Sequence, residues 1–137
     1  MSKKIPDILR RQVAIRANYR CEYCRRPEVD SFIRYQSDHI ISRKHGGKTE
    51  LENLAHTCPT CNNAKGSDIA TILENENELI RFFNPRRDTW DDHFEVSIQG
   101  EINPKTEIAT ATIKILKLNE INRILERVDL IEAGLFP

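Results

Sequence analysis

The stretch that decides the fold is DHIISRKHGGKTELENLAHTCPTCNNAK, residues 38–65, together with CEYC at residues 21–24. These two stretches hold all 4 cysteines of the chain, as two C-x2-C pairs separated by residues 25–57. Such pairs are typical of a tetrahedral zinc site made of thiolates. Two buried disulfides or a redox-active C-x2-C are the alternatives. Because sulfur would fill every position, we expect a structural zinc ion on Cys21, Cys24, Cys58 and Cys61.

Length and composition indicate one domain over residues 1–137, with 39% hydrophobic and 31% charged residues. No apolar run is long enough to span a membrane, and the first residues lack the apolar segment of a secretory signal. We therefore expect a cytoplasmic protein with no membrane partner. In that reducing compartment, paired cysteines favour a metal over disulfides.

The formal net charge of zero conceals an uneven distribution. Residues 1–66 hold 13 Lys and Arg against 7 Asp and Glu, whereas residues 67–137 hold 8 against 14. A basic half is compatible with a nucleic-acid-binding face, although solvated helices explain the same charges. The arginines of the first helix, among them Arg10 and Arg11, allow the same two interpretations.

Local patterns predict a mixed α and β fold. A helix is expected over residues 7–20 and strands over 31–41 and 53–57, joined by a loop that turns at Gly46-Gly47. Gly66 is placed to end a helix that opens at Cys58. Residues 67–79 are expected to be a short helix or irregular, with a polar turn over 75–78. The remaining expected elements are a strand over 94–98 that pairs back at 101–102, and helices over 106–117 and 120–131, the last with Ile121, Ile124, Val128 and Ile131 on one face.

Hard oxygen ligands and a histidine come together near the predicted zinc site. Asp38 and His39 end the first predicted strand, and Asn62 follows the last cysteine. A carboxylate and an amide oxygen suit magnesium, and a neutral imidazole can accept a proton from water. From residue types alone, an Asp-His pair is more often structural.

These motifs resemble the four-cysteine branch of the HNH endonucleases, the ββα-metal nucleases. The matching residues are Cys21, Cys24, Asp38, His39, Ile40, Gly46, Gly47, Asn53, Leu54, Cys58, Cys61, Asn62 and Lys65. The resemblance implies an α+β fold: a ββα-metal core over about residues 7–66, stapled by zinc, with an N-terminal helix. A C-terminal extension of strands and helices would follow over about residues 67–137, as in a bacterial subset of these proteins.

The resemblance also implies roles for individual residues. His39 would be the general base, Asp38 and Asn62 would bind catalytic Mg²⁺ or Mn²⁺, and Asn53 would hold the loop that orients His39. Asn62 stands where the family often has histidine, and its carbonyl oxygen favours magnesium or manganese. Contacts to nucleic acid are expected from basic residues of the loop, the helix and the extension, namely Arg43, Lys44, His45, Lys65 and Arg86.

The sequence therefore predicts a metal-dependent endonuclease that hydrolyses DNA, with RNA the less expected substrate. The alternatives are a non-catalytic zinc-stapled nucleic-acid-binding module and a protein-interaction domain. Phe82, Phe83, Trp90 and Phe94 are expected to pack the extension against the core.

Overall fold

The computed structural model describes residues 5–29, 32–74 and 77–137. Helices, strands and short 3-10 turns alternate along these residues. The helices are α1 (Asp7–Arg16), α2 (Pro59–Lys65), α3 (Trp90–His93), α4 (Glu107–Leu116) and α5 (Ile121–Glu132). The strands form three antiparallel pairs: β1 (Gln36–His39) with β2 (Leu54–Thr57), β3 (Ala70–Ile72) with β4 (Leu79–Arg81), and β5 (Phe94–Val96) with β6 (Ile102–Pro104). Among the described residues, no helix has the length and apolar character that crossing a bilayer requires.

The hairpin of β1 and β2, followed by α2, is the ββα unit that the sequence predicted, and the α+β class is confirmed. Strand β1 is shorter than the expected 31–41, of which Ser31 lies outside the described residues. Before the strand, the Tyr35 amide donates to Glu28 Oε2 at 2.7 Å rather than to a strand. After it, the Ile41 amide donates to Asn53 Oδ1 at 2.9 Å. At both ends of β1, therefore, a side chain accepts the backbone amide hydrogen bond that a neighbouring strand would otherwise accept.

Helix α2 starts and stops where the sequence indicated. The Cys58 side chain caps it by accepting from the Cys61 amide at 3.4 Å, and Pro59 occupies the first turn. Gly66 ends it with a φ of 52°, in the left-handed region that favours glycine. The helix is therefore capped by Cys58 at its start and ended by Gly66, the residue directly after Lys65.

Helix α1 ends four residues earlier than the expected 7–20, because Asn18 and Tyr19 adopt positive φ angles of 54° and 56°. Left-handed residues cannot continue a right-handed helix. The helix packs on the hairpin through Val13, which is buried against Ile5 and Leu54.

A third correction concerns residues 67–79, which were expected to be a short helix or irregular. They contain strand β3, which pairs with β4 so that Ala70 faces Arg81. Its β-branched Thr71 and Ile72 favour a strand, and the apolar segment from Leu79 supplies the partner. The predicted turn over 75–78 includes residues 75 and 76, which lie outside the described residues.

The aromatic residues of the extension are buried as predicted. Phe82, Phe83, Trp90 and Phe94 belong to one cluster that also contains the cysteines. Trp90 Nε1 donates to the Tyr23 carbonyl at 2.8 Å, which ties α3 to the C-x2-C turn. The β5–β6 pair and helices α4 and α5 lie where they were expected, although β5 ends at Val96. One buried cluster thus includes residues of both the predicted core and the extension.

The turn that joins β4 to α3 is closed by Asp88. Its carboxylate accepts hydrogen bonds from two guanidinium nitrogens of Arg81, at 2.8 and 2.9 Å, and from the Asn84 backbone amide, at 2.9 Å. The Arg81 hydrogen bonds hold the pKa of Asp88 below its ordinary value. A depressed pKa stabilises the fold above the unfolded-state pKa, near 3.9, and this stabilisation is lost as the pH falls through the folded-state pKa.

We expect Asp88→Asn to lower the free energy of unfolding at pH 7 by about 1–2 kcal/mol, since Arg81 is partly exposed and screened by solvent. The measurement is urea unfolding of both proteins at pH 7 and at about pH 3, where the difference should narrow as wild-type Asp88 is protonated. Asp91→Asn, at an exposed carboxylate nearby, is the matched control. Equal midpoints for wild type and Asp88→Asn at pH 7 would contradict the role of this carboxylate.

Candidate active site and metal centre

The four cysteines converge in the buried core, with all Sγ atoms within 4.8 Å of one another. The Cys24 and Cys58 sulfurs are 3.8 Å apart, close to the edge of about 3.8 Å that Zn–S bonds of about 2.3 Å produce in a tetrahedron. None of the four forms a disulfide. The geometry and the chemistry of the donors therefore fit a metal ion such as zinc, which these four thiolates would hold.

Local backbone geometry brings the first cysteine pair to the hairpin. The Arg25 amide donates to the Cys21 carbonyl at 2.9 Å, with Arg25 at a φ of 68°, and this closes the turn. The Glu22 amide then donates to the His56 carbonyl of β2 at 2.9 Å. The turn consequently lies beside β2, which leads directly to Cys58.

Alternation along β1 separates its polar side chains between two faces of the hairpin. Gln36 and Asp38 contact α2: Asn62 Nδ2 donates to Gln36 Oε1 at 3.1 Å, and Lys65 Nζ lies 3.0 Å from Asp38 Oδ2. Asp38 and Asn62, the expected metal ligands, are thus placed on facing elements. Gln36 is a polar neighbour that the sequence analysis missed, because nothing local distinguishes a glutamine in a strand.

Lys65 lies in the interior, whereas the sequence analysis expected it to contact phosphate. Its side chain is only 2% exposed, and its ammonium donates to the His39 carbonyl at 3.1 Å as well as pairing with Asp38. The last turn of α2 packs on the hairpin and buries this charge, which then requires an acidic partner. In this structure Lys65 positions Asp38 and the end of β1.

The environment of the Asp-His pair shifts both pKa values. Burial raises the pKa of Asp38, and the Lys65 ammonium opposes that shift. Burial also lowers the pKa of His39, against the effect of Asp38, which favours the neutral imidazole that a general base needs. His39 Nε2 lies 2.8 Å from Thr49 Oγ1, so this threonine orients the ring. No sequence pattern singled out Thr49.

Asn53 holds the loop after β1 through its side chain. Its Oδ1 accepts from the Ile41 amide, and its Nδ2 donates to the Ile41 and Lys48 carbonyls, each at 2.9 Å. Its own carbonyl accepts from the Ile40 amide at 2.8 Å. These bonds fix the backbone directly after His39.

Gly47 lies so close to this network that a side chain does not fit. A Cβ atom at this position would be 1.7 Å from the Ile41 carbonyl oxygen and 2.7 Å from Asn53 Nδ2. Gly46 differs: its φ is 93°, but a Cβ atom there would meet nothing within 4 Å. The two glycines therefore serve separate needs, close approach at Gly47 and left-handed backbone at Gly46.

We expect Gly47→Ala to lower the free energy of unfolding by about 3 kcal/mol, because the loop must open and break the Asn53 hydrogen bonds. Gly46→Ala, the control in the same loop, should cost about 1 kcal/mol from backbone strain alone. Urea unfolding of the two variants measures the difference. An equal loss in both would show that the close approach at Gly47 is unimportant.

The expected nucleic-acid contacts fall into two groups. Arg43, Lys44 and His45 form an exposed 3-10 turn that begins four residues after His39, the last residue of β1. Arg86 instead pairs with Glu22 and is only 15% exposed, so its charge is already engaged. The sequence placed it in a compact basic turn but could not indicate its distant acidic partner.

A basic groove of about 560 Å³ runs between α1 and the hairpin. Its lining includes Arg10, Arg11 and Arg34, and it reaches Gln36 at the start of β1. The α1 arginines had allowed either a solvated face or phosphate contacts. The structure brings them next to the strand that carries Asp38 and His39.

The fold and the site together define a small α+β domain. Its four-cysteine centre connects the turn of the first C-x2-C pair to the start of α2 in the ββα unit. Residues 21–68 of this chain match the family model described as HNH endonuclease. The matched segment contains all four cysteines, Asp38, His39, Asn53 and Asn62. Comparisons with curated proteins and with solved structures found no match.

Proposed function

We propose that this protein is a metal-dependent HNH endonuclease that hydrolyses DNA phosphodiester bonds. The observation that carries the proposal is the set of Asn53 hydrogen bonds, which fixes the backbone next to His39. A domain that only binds nucleic acid has no need to brace a partly buried histidine beside Asp38. The segment that holds these residues is also the one that matches the HNH family.

His39 is the general base in this proposal. Partial burial lowers the pKa of its imidazole, which favours the neutral form, and Thr49 orients the ring, so the other ring nitrogen can take a proton from water. The bracing by Asn53 limits the movement of the strand end, and a base works only when it is held at the right distance from the nucleophile.

Asp38 and Asn62 would hold the catalytic divalent ion, for which Mg²⁺ or Mn²⁺ suits a carboxylate and an amide oxygen. Asp38 Oδ2 is buried and 3.0 Å from Lys65 Nζ, and because each carboxylate oxygen has two lone pairs, this pairing does not use up the acceptor capacity of the carboxylate. The Asn62 amide nitrogen donates to Gln36, which leaves the Asn62 oxygen free to act as a ligand. When bound, the ion would stabilise negative charge on the phosphate and the leaving oxygen.

Nucleic acid is proposed to approach over the basic surfaces next to this site. The exposed turn of Arg43, Lys44 and His45 lies on one side of His39, and the groove with Arg10, Arg11 and Arg34 lies between α1 and β1. Cations in such positions contact phosphates and give salt-dependent affinity. DNA is the proposed substrate in preference to RNA.

The test is to incubate zinc-loaded protein with supercoiled plasmid DNA and, separately, with a folded RNA, in Mg²⁺ or Mn²⁺. The proposal expects nicked or linear plasmid that increases with time, and less cleavage of the RNA. Absence of cleavage with either metal, combined with salt-dependent binding of the DNA, would instead favour the non-catalytic zinc-stapled binding module. Absence of both cleavage and binding would leave the protein-interaction domain.

A further inference from the structure

Helix α5 carries arginines, rather than apolar residues, at the centre of its buried face. The sequence analysis placed Ile121, Ile124, Val128 and Ile131 on one face of this helix; of these, Ile121 is 66% exposed, whereas Ile124 and Val128 are half-buried. Arg127 is the residue of α5 that is fully inside, and Arg123 lies one turn before it. A buried pair of cations at i and i+4 would repel each other without an opposing charge.

Arg123 meets that opposing charge at the metal centre. The Arg123 Nη2 atom lies 3.0 Å from Cys61 Sγ and 3.8 Å from Cys58 Sγ. The Arg123 Nη1 atom donates to the Leu116 carbonyl at 2.8 Å, and this hydrogen bond holds the guanidinium group at the end of α4. Although burial lowers it, the pKa of Arg123 is raised overall by the Cys61 and Cys24 sulfurs.

Arg127 stands behind Arg123 and is 4% exposed. It donates to the Gly100 carbonyl at 2.6 Å and to the Leu118 carbonyl at 2.9 Å. Within residues 5–29, 32–74 and 77–137, no carboxylate lies within ion-pair distance of it. Burial lowers the pKa of Arg127, and Cys24 is the main group that counters this shift.

A loaded centre carries negative charge that Arg123 can offset. Four thiolates around one divalent zinc ion carry about two net negative charges, and the Arg123 guanidinium brings a positive charge to 3.0 Å from Cys61 Sγ. We propose that Arg123 is a charge-compensating residue of the metal centre and donates directly to the thiolates. The C-terminal helix is then part of the metal site, which gives the extension a role that does not depend on nuclease activity.

This inference extends the zinc site from the two C-x2-C turns to a third element. Partners that hydrogen-bond to metal ligands orient them and tune the affinity for the metal, typically by 10–100-fold. Arg123 is a positioning residue in this sense, since it contacts the sulfurs and not the metal. The effect of replacing it should therefore depend on the charge of the new side chain and not only on its size.

The experiment measures zinc affinity in the full chain by competition with a chromophoric chelator. Arg123→Met, which keeps the length and removes the charge, should lose about 10–100-fold in affinity. Arg123→Lys should stay within a few-fold of wild type, and so should the control Arg87→Met, at an exposed arginine of the turn between β4 and α3. If Arg123→Met does not fold in excess zinc, Arg123→Gln takes its place.

A spectroscopic readout separates charge compensation from simple packing. With Co²⁺ in place of zinc, loss of a hydrogen bond to the thiolates should shift the sulfur-to-cobalt charge-transfer band in Arg123→Met, and the band should stay unchanged in Arg87→Met. Wild-type affinity together with an unmoved band in Arg123→Met would overturn the proposal. An equal loss of affinity in Arg123→Lys and Arg123→Met would overturn it as well, because charge would then play no part.

Discussion

Replacing His39 by alanine should reduce the rate of DNA cleavage by at least a hundredfold while the protein stays folded and keeps its zinc. A positioned general base contributes about 10²–10⁴-fold, and no other histidine shares the position of His39 at the end of β1 in the described residues. The backbone there is held by Asn53, and Thr49 loses only one hydrogen bond. The fold should therefore tolerate the change.

The measurement is the initial rate of plasmid nicking at saturating Mg²⁺, with zinc content determined for each sample. His45→Ala is the matched control, because His45 is an exposed histidine in the adjoining turn and should change the rate only a few-fold. A rate for His39→Ala close to that of wild type, in preparations free of host nucleases, would refute the role of His39.

Replacing Cys58 by serine should remove the bound zinc and much of the folded structure. Cys58 supplies a sulfur to the centre and also caps α2, and all four cysteines are buried. Structural zinc binding contributes on the order of 10 kcal/mol in small domains, more than the typical stability of a whole domain. The ββα unit has little apolar interior besides this centre.

Zinc stoichiometry and thermal unfolding followed by circular dichroism measure this effect. Thr60→Ser, an exposed position inside the same C-x2-C turn, is the control and should keep both zinc and the wild-type transition. A Cys58→Ser protein that unfolds at the wild-type temperature without bound metal would show that the centre does not staple the fold.

The parts of the fold that could be predicted are those marked by a strong local sequence pattern. The C-x2-C spacing indicated the metal site, and Gly66 and Pro59 marked the ends of α2. The three-residue strand β3 gave only a weak signal, because it is too short to show a repeated alternation of apolar and polar residues. Strand β1 was predicted too long because its apolar flanks look extended, whereas side chains of Glu28 and Asn53 end the pairing.

The sequence could suggest the residue types of the candidate site, but it could not indicate which side chains pair with one another. Asp38, His39, Asn53 and Asn62 could be chosen from the resemblance, but basic residues look alike in a sequence. In the structure, Lys65 pairs with Asp38, Arg86 pairs with Glu22, and Arg123 contacts Cys61. The two partners in each pair are 26 or more residues apart along the chain. Such long-range partners depend on the packing of elements, which local patterns do not encode.

The measurement that tests the central claim most directly is plasmid cleavage by one zinc-loaded sample, assayed with and without Mg²⁺ next to His39→Ala. Zinc is measured before and after, so that loss of the catalytic ion is not confused with loss of the structural one. The account predicts cleavage only by the wild-type protein and only with Mg²⁺, at constant zinc content. Equal cleavage without Mg²⁺, or none at all by folded, zinc-bound wild-type protein in Mg²⁺ or Mn²⁺, would contradict it.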